Sequence, residues 1–297
     1  MWFRNLQIHR LPSGWEMSPA GLEEALADFR LTPCGGQQVQ SRGWVPPRDN
    51  DQLVCSQERH LLIALGIEKK ILPASVVRDE ANERAARFEA ERGFKPGRKT
   101  MLEIKDEVTA TLLPRAFARR SLVRGWLDVE RGWLVIDAAS AGAAEEFVEH
   151  LHNTLGGSFA VTRLDPDRSP VAAMTDWMTA GHAPGSFDIG DECELCSTDM
   201  ERATVRYLRH SLEGEDVRRH LSAGKVVTKL GLLWRDQLSL LLDDQLQVKK
   251  LKFVDVEETA EREQAADPDE QFDQDLALMV GTLRELLADL EAALKAG

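Results

Sequence analysis

The sequence predicts an α+β protein, with a central domain on an antiparallel or mixed sheet, a helical tip inserted into it, and a C-terminal α+β base domain. Three observations carry this. Alternating apolar and polar residues recur in two separated regions, a polar stretch with helical spacing lies between them, and a heptad-spaced segment closes the chain. The predicted boundaries are 1–73 and 114–168 for the central domain, 74–113 for the tip and 169–297 for the base. A chain of 297 residues, 43% apolar and 29% charged, can bury two or three modest cores.

Residues Trp2 to Arg10 alternate as a strand, Pro19 to Arg30 have helical spacing through Leu22, Leu26 and Phe29, and Leu53 to Ile67 are strand-rich. The Pro- and Gly-rich stretches Thr32 to Gly36 and Gly43 to Pro47 read as turns between them. Strands around Leu122 to Val129 and Trp133 to Asp137, a helix from Ser140 to Leu155 and a strand at Phe159 to Leu164 repeat that order, as an internal duplication would. In the tip, Ser75 to Arg92 lack Gly and Pro, and Glu80 with Arg84 and Glu83 with Arg87 are spaced to support a solvated helix that Gly93 ends. Thr100 with Glu103 reads as a capping box for a second helix running to Pro114, so Lys95 to Lys99 form the exposed turn of a helical hairpin.

The Asp165 to Pro170 stretch reads as a linker. After it come a short helix at Met174 to Thr179, a helix ending at Ala223-Gly224, and strands at Lys225 to Trp234, Leu238 to Leu242 and Val248 to Val254. Asp267 as cap and Pro268 at the first helical position start the last helix. In it Phe272, Leu276, Met279, Leu283, Leu286, Leu290 and Ala293 form a seam that either lies on the protein's own sheet or makes a subunit contact.

The formal net charge of −13 argues against a nucleic-acid partner only if the acidity is uniform. From Lys69 to Arg131 there are 15 Lys and Arg against 10 Asp and Glu, and from Arg202 to Lys252 there are 11 against 6. Asp255 to Glu291 hold 2 against 13, so most of the acidity sits in one segment. The longest apolar run, Leu61 to Leu65, is too short for a membrane span, the N-terminus lacks a signal pattern, and four cysteines make no disulfide framework; a cytoplasmic protein is expected.

No phosphate-binding glycine loop, nucleophile elbow or zincin motif is present, so no catalytic residue, metal ligand or cofactor is assigned. Cys193 and Cys196 have metal-ligand spacing but no second pair, and read as two reduced thiols. His150 and His152, two apart on a helix, cannot chelate one ion together. The carboxylate pairs Asp165 with Asp167 and Asp243 with Asp244 lack flanks that suggest a two-metal nuclease. The basic blocks say more. Lys95, Arg98 and Lys99 on one loop, Arg115, Arg119, Arg120 and Arg124 after Pro114, and Arg202, Arg206 and Arg209 on an expected helix are spaced for phosphate contacts, which give affinity without sequence discrimination. The alternative is solvated charged faces. Phe117, between Arg115 and Arg119, can stack on a base, anchor a partner or tuck into its own domain, and the last is the commonest fate of such a residue.

Taken together, these blocks resemble the recombination-associated RdgC family of proteobacteria. The resemblance runs through Trp2-Phe3-Arg4-Asn5-Leu6, Thr32-Pro33-Cys34-Gly35, Gly43 to Pro47, Lys70-Ile71-Leu72-Pro73 and Leu113 to Phe117, and continues in Ala223 to Leu230 and Leu251-Lys252-Phe253. It implies a ring-shaped homodimer with a basic hole for duplex DNA, associated with the nucleoid, that binds without sequence preference and limits RecA-promoted strand exchange. By position it implies that Arg115 contacts DNA, that Phe117 anchors a dimer interface and that Arg209 lines the hole. Phe94 falls where a basic residue is expected, with Lys95, Arg98 and Lys99 nearby, and the Cys193–Cys196 pair lies outside the family pattern. The expected DNA-binding set is Lys95, Arg98, Lys99, Arg115, Arg119, Arg120, Arg206 and Arg209. The rivals are a metal-dependent nuclease and a protein that inhibits recombinase filaments directly through the acidic 255–291 segment.

Overall fold

The computed structural model describes residues 2–157, 159–254 and 267–295. The fold is mixed α and β. In chain order it runs β1 (Gln7–Arg10), α1 (Pro19–Ala27), β2 (Gln40–Val45), β3 (Val54–Gln57), β4 (His60–Ile71), α2 (Ala74–Arg92) and α3 (Arg98–Leu112). A 3-10 turn (Leu113–Arg115) leads to β5 (Phe117–Asp128), β6 (Trp133–Ile136), α4 (Ala141–Leu155), β7 (Thr162–Arg163), α5 (Pro170–Ala180) and β8 (Phe187–Cys196). The chain continues with β9 (Thr204–Leu208), α6 (Glu215–Ser222), β10 (Val226–Trp234), β11 (Leu238–Asp243), β12 (Val248–Phe253) and α7 (Pro268–Lys295). One sheet has the order β2, β4, β5, β6, β1, β7, with β3 beside β4; the other has the order β12, β11, β10, β8, β9. By contacts the chain divides into two compact units, residues 1–19, 54–62 and 124–297 in one and 20–53 and 63–123 in the other.

In the first unit β1 pairs antiparallel with both β6 and β7. It therefore lies between strands of the second expected repeat, and the two halves interleave instead of forming separate copies. The second sheet is antiparallel throughout, and α7 closes its core. Leu276, Met279, Leu283, Leu286, Leu290 and Ala293 are all buried there with Leu230, Leu232, Trp234 and Leu240, and Phe272 packs at the edge. The heptad seam thus lies against the protein's own core, not against a second subunit. Asp267 starts α7 as expected, its carboxylate accepting from the Asp269 N–H at 3.2 Å.

In the second unit β2 pairs antiparallel with β4 from Gln40↔Lys69 to Val45↔Ala64. The expected turn at Gly43 to Pro47 is a strand as far as Val45. Gly43 is there for close approach, because a Cβ on it would stand 2.4 Å from the Leu31 backbone nitrogen. The helical hairpin follows the sequence closely. Gly93 ends α2 in the left-handed conformation (φ 76°), its N–H bonding the Glu89 carbonyl at 2.8 Å. The capping box does not form: α3 starts two residues earlier than Thr100, capped by Gly97 with no side-chain bond.

Three further elements depart from expectation. The expected helix carrying Arg202, Arg206 and Arg209 is instead an edge strand, β9, because Thr204, Val205 and Tyr207 favour the pleat and pair with β8. The strand expected around Leu122 to Val129 begins earlier, with Phe117 as the first residue of β5. The expected helix at Met174 begins earlier, at Pro170. Among the described residues no helix is long and apolar enough to cross a membrane.

Candidate nucleic-acid interface

The expected DNA-binding residues form three groups. The first is the hairpin turn of the second unit. Lys95 and Arg98 are exposed and have no carboxylate partner among the described residues, while Lys99 reaches Glu103 only at 4.0 Å with both side chains largely in solvent. Phe94, beside them, is 60% exposed and meets Phe88 in an edge-on contact with ring centroids 5.7 Å apart. The N-terminus of α3, which no side chain caps, adds a weak positive potential at the same end.

The second group lies at the start of β5, at the other end of α3. Fifteen helical residues rise about 22 Å, so the turn cations and the β5 arginines are separate patches. The buried Lys70 fixes the chain here, its Nζ donating to the Leu113 carbonyl at 3.0 Å and to the Gly36 carbonyl at 2.9 Å. Beyond this anchor Arg115, Phe117 and Arg119 are exposed, Phe117 to 85%. Strand alternation puts Phe117 and Arg119 on one face and Arg120 on the other. Arg120 is already engaged: its Nε donates to Glu68 Oε2 at 2.7 Å, and the Cys34 N–H donates to Glu68 Oε1 at 2.8 Å. The Arg120 hydrogen bond, then that of Cys34, holds the Glu68 carboxyl below the usual range. Arg115 and Arg119 have no such partner among the described residues.

The third group is on β9 in the first unit. Arg206 donates to Glu194 Oε2 at 2.6 Å, and the same oxygen receives Lys229 at 3.0 Å. Burial alone would raise the Glu194 carboxyl, but the bonds from Lys229, Arg206 and Thr228 together hold it low. Arg209 is exposed just past the strand with a left-handed backbone (φ 54°). The structure therefore sorts the expected residues into cations without a carboxylate partner among the described residues (Lys95, Arg98, Arg115, Arg119, Arg209) and cations already matched (Arg120, Arg206 and, weakly, Lys99). Composition gave no sign of this sorting. The carboxylates responsible sit on other strands, Glu68 52 residues from Arg120 and Glu194 12 residues from Arg206.

The remaining candidates resolve into structural roles. Cys193 is buried, and that burial pushes its thiol up to about 11; Cys196, three residues on, lies on the other face of β8, and both are free thiols. His150 is buried, whereas the His152 ring lies 2.6 Å from the Phe159 carbonyl. Asp243 accepts from the Gln245 and Gln247 N–H groups at 3.0 and 2.9 Å and pairs with Lys249, so it shapes the β11–β12 turn. Among the described residues no three His, Cys, Asp or Glu side chains are grouped as a metal ion would require.

A family model described as "Putative exonuclease, RdgC" matches residues 1–296. The chain is 43% identical over 297 residues to the recombination-associated protein RdgC of Dechloromonas aromatica (strain RCB), covering 99% of this chain and 97% of that one. It is 44% identical over 294 residues to the proteins of the same name from Janthinobacterium sp. (strain Marseille) and Cupriavidus necator, covering 99% of this chain and 98% of each. With a match along almost its whole length, the chain belongs to the RdgC family of recombination-associated proteins.

Proposed function

We propose that this protein binds double-stranded DNA through its phosphates without reading sequence, closes around the duplex as a homodimeric ring at the nucleoid, and limits RecA-promoted recombination by occupying duplex. The observation that carries this reading is the start of β5, where Arg115 and Arg119, without a carboxylate partner among the described residues, flank the 85% exposed Phe117. Cations in that state can release condensed counterions from DNA, and an apolar ring so open to water has most to gain from burial against a second subunit. Enclosure would let modest phosphate contacts give long residence with free sliding, and the Phe117 contact is the natural gate for DNA without ends.

Native mass spectrometry with and without duplex tests the assembly, and a dimer that holds one duplex is the expected result. Affinity for two unrelated duplexes should be equal and fall steeply with salt; a strong preferred site would contradict backbone binding. Phe117→Ala should shorten retention on circular DNA more than on short linear DNA, and equal effects would remove the gate.

The description of the family model also names a nuclease. Plasmid incubated with protein and magnesium or manganese separates the two readings, since a binder leaves the DNA intact. Direct inhibition of recombinase filaments through the acidic 255–291 segment is the remaining alternative. Residues 255–266 lie outside the described ones, and the rest belongs to α7, whose apolar face is committed to its own core. Such an inhibitor would act with equal strength whether or not competing duplex is present.

A further inference from the structure

We propose that Phe94 is a base-stacking side chain, which gives the hairpin turn a preference for duplex DNA carrying an unpaired nucleotide over continuous duplex; this rests on the DNA-binding reading above. Phe94 stands at the tip of two helices, 60% exposed. It is held there. Gly93 turns the chain with φ 76°, Pro96 stiffens the far side of the turn, and the Phe88 ring meets Phe94 nearly at right angles (86°) at 5.7 Å. One side of the ring is thus braced while the rest faces water.

The surroundings decide what such a ring is suited to meet. From Gly93 to Lys99 there are three cations and no acid, and neither Lys95 nor Arg98 has a carboxylate partner among the described residues. An aromatic among unmatched cations suits a ligand that brings a flat π-face and a negative charge together, which is what a nucleotide is. Continuous duplex offers phosphates to Lys95, Arg98 and Lys99 but keeps its base faces stacked inside. An unpaired nucleotide offers both at little unstacking cost, so the aromatic adds affinity only where the stack is already broken.

The test is fluorescence anisotropy with a labelled duplex of about 30 base pairs and the same duplex carrying one unpaired central nucleotide. A single stacked base supports a preference of about tenfold for the second by the wild-type protein. Phe94→Ala and Phe94→Leu should both lose that preference and keep their affinity for continuous duplex within about twofold, whereas Phe94→Trp should keep it. The leucine variant preserves apolar bulk without a π-face, so a preference that survives in it overturns stacking. Equal binding of both duplexes by the wild-type protein also overturns the proposal while leaving backbone binding intact. Failure to bind either duplex at low salt removes the DNA reading and this inference with it.

Discussion

If Arg115 and Arg119 meet phosphate while Arg120 is spent on Glu68, replacing each by Gln should change the salt dependence of DNA binding unequally. Each engaged phosphate contributes about −0.9 to the slope of log affinity against log salt. Over a fourfold rise in salt this amounts to about 3.5-fold in affinity per contact, so the double variant Arg115→Gln with Arg119→Gln, which removes two contacts in each protomer of the proposed dimer, should narrow the salt response by about 150-fold. Arg120 differs in kind. Its guanidinium lies 2.7 Å from Glu68 Oε2, so the pair is close to neutral toward an approaching phosphate. Arg120→Gln should hardly change the slope, but it strips Glu68 of its counter-charge and leaves a carboxylate near the DNA path, which lowers affinity at every salt concentration. Titrations of one duplex at four or more salt concentrations separate slope from intercept. Equal slope changes for Arg119→Gln and Arg120→Gln would refute the sorting of cations by their carboxylate partners.

Three predictions concern the scaffold. Gly43→Ala should destabilise the second unit by about 1–3 kcal/mol in urea unfolding, because the new Cβ meets backbone atoms of Arg30 and Leu31 at 2.4–2.6 Å, and backbone cannot yield by changing rotamer. Gly97→Ala, where a Cβ meets nothing within 4 Å, is the control, and equal unfolding midpoints would contradict the account. Arg284→Met should cost about 3 kcal/mol or less: it leaves the fully buried Asp128 without the cation 3.1 Å away, although Arg284 itself keeps 26% exposure, which softens the loss. The same variant should raise the His60 pKa, measured by NMR, since Arg284 lowers it while Asp128, 3.9 Å from Nδ1, raises it. Finally, burial holds both His9 and His60 below 6.5 in the folded state. The unfolded chain then binds protons first on acidification, so stability is complete above pH 6.5 and falls as pH drops below it. Replacing both histidines by Gln should flatten the melting-temperature profile just below pH 6.5, and an unchanged profile would assign the loss to other groups.

Where local chemistry decides the structure, the sequence is easy to read. Gly93 ends α2, Asp267 and Pro268 start α7, and the heptad positions of α7 from Leu276 to Ala293 are buried, joined by Val280, Leu287 and Leu294. It misleads where tertiary contact overrides a local signal. Gly43 and the following prolines read as a turn, but the glycine is required by the close passage of Leu31 in a strand. The arginine spacing at 202–209 suggests a helix, yet β8 offers a partner edge that Val205 and Tyr207 fill. For the candidate site, the identity of the basic residues was readable but their availability was not. Whether an arginine faces water or a carboxylate depends on a residue such as Glu68, 52 positions from Arg120.

That dependence also shows why net charge is a poor guide to this protein. The block from Lys69 to Arg131 carries a surplus of cations, but Arg120 is balanced by Glu68, and Arg84 and Arg87 by their own helix at i−4. Among the cations that the described carboxylates leave unmatched are Lys95 and Arg98 at the hairpin turn and Arg115 and Arg119 beside Phe117, each pair with a large exposed aromatic close by in sequence. The two patches are alike in composition and differ in support: Phe94 is braced by a second ring, whereas Phe117 projects from the first residue of a strand. A braced ring keeps its orientation and suits stacking on a flat ligand. A projecting one loses more freedom when it is covered, and needs the larger apolar burial that a second subunit provides.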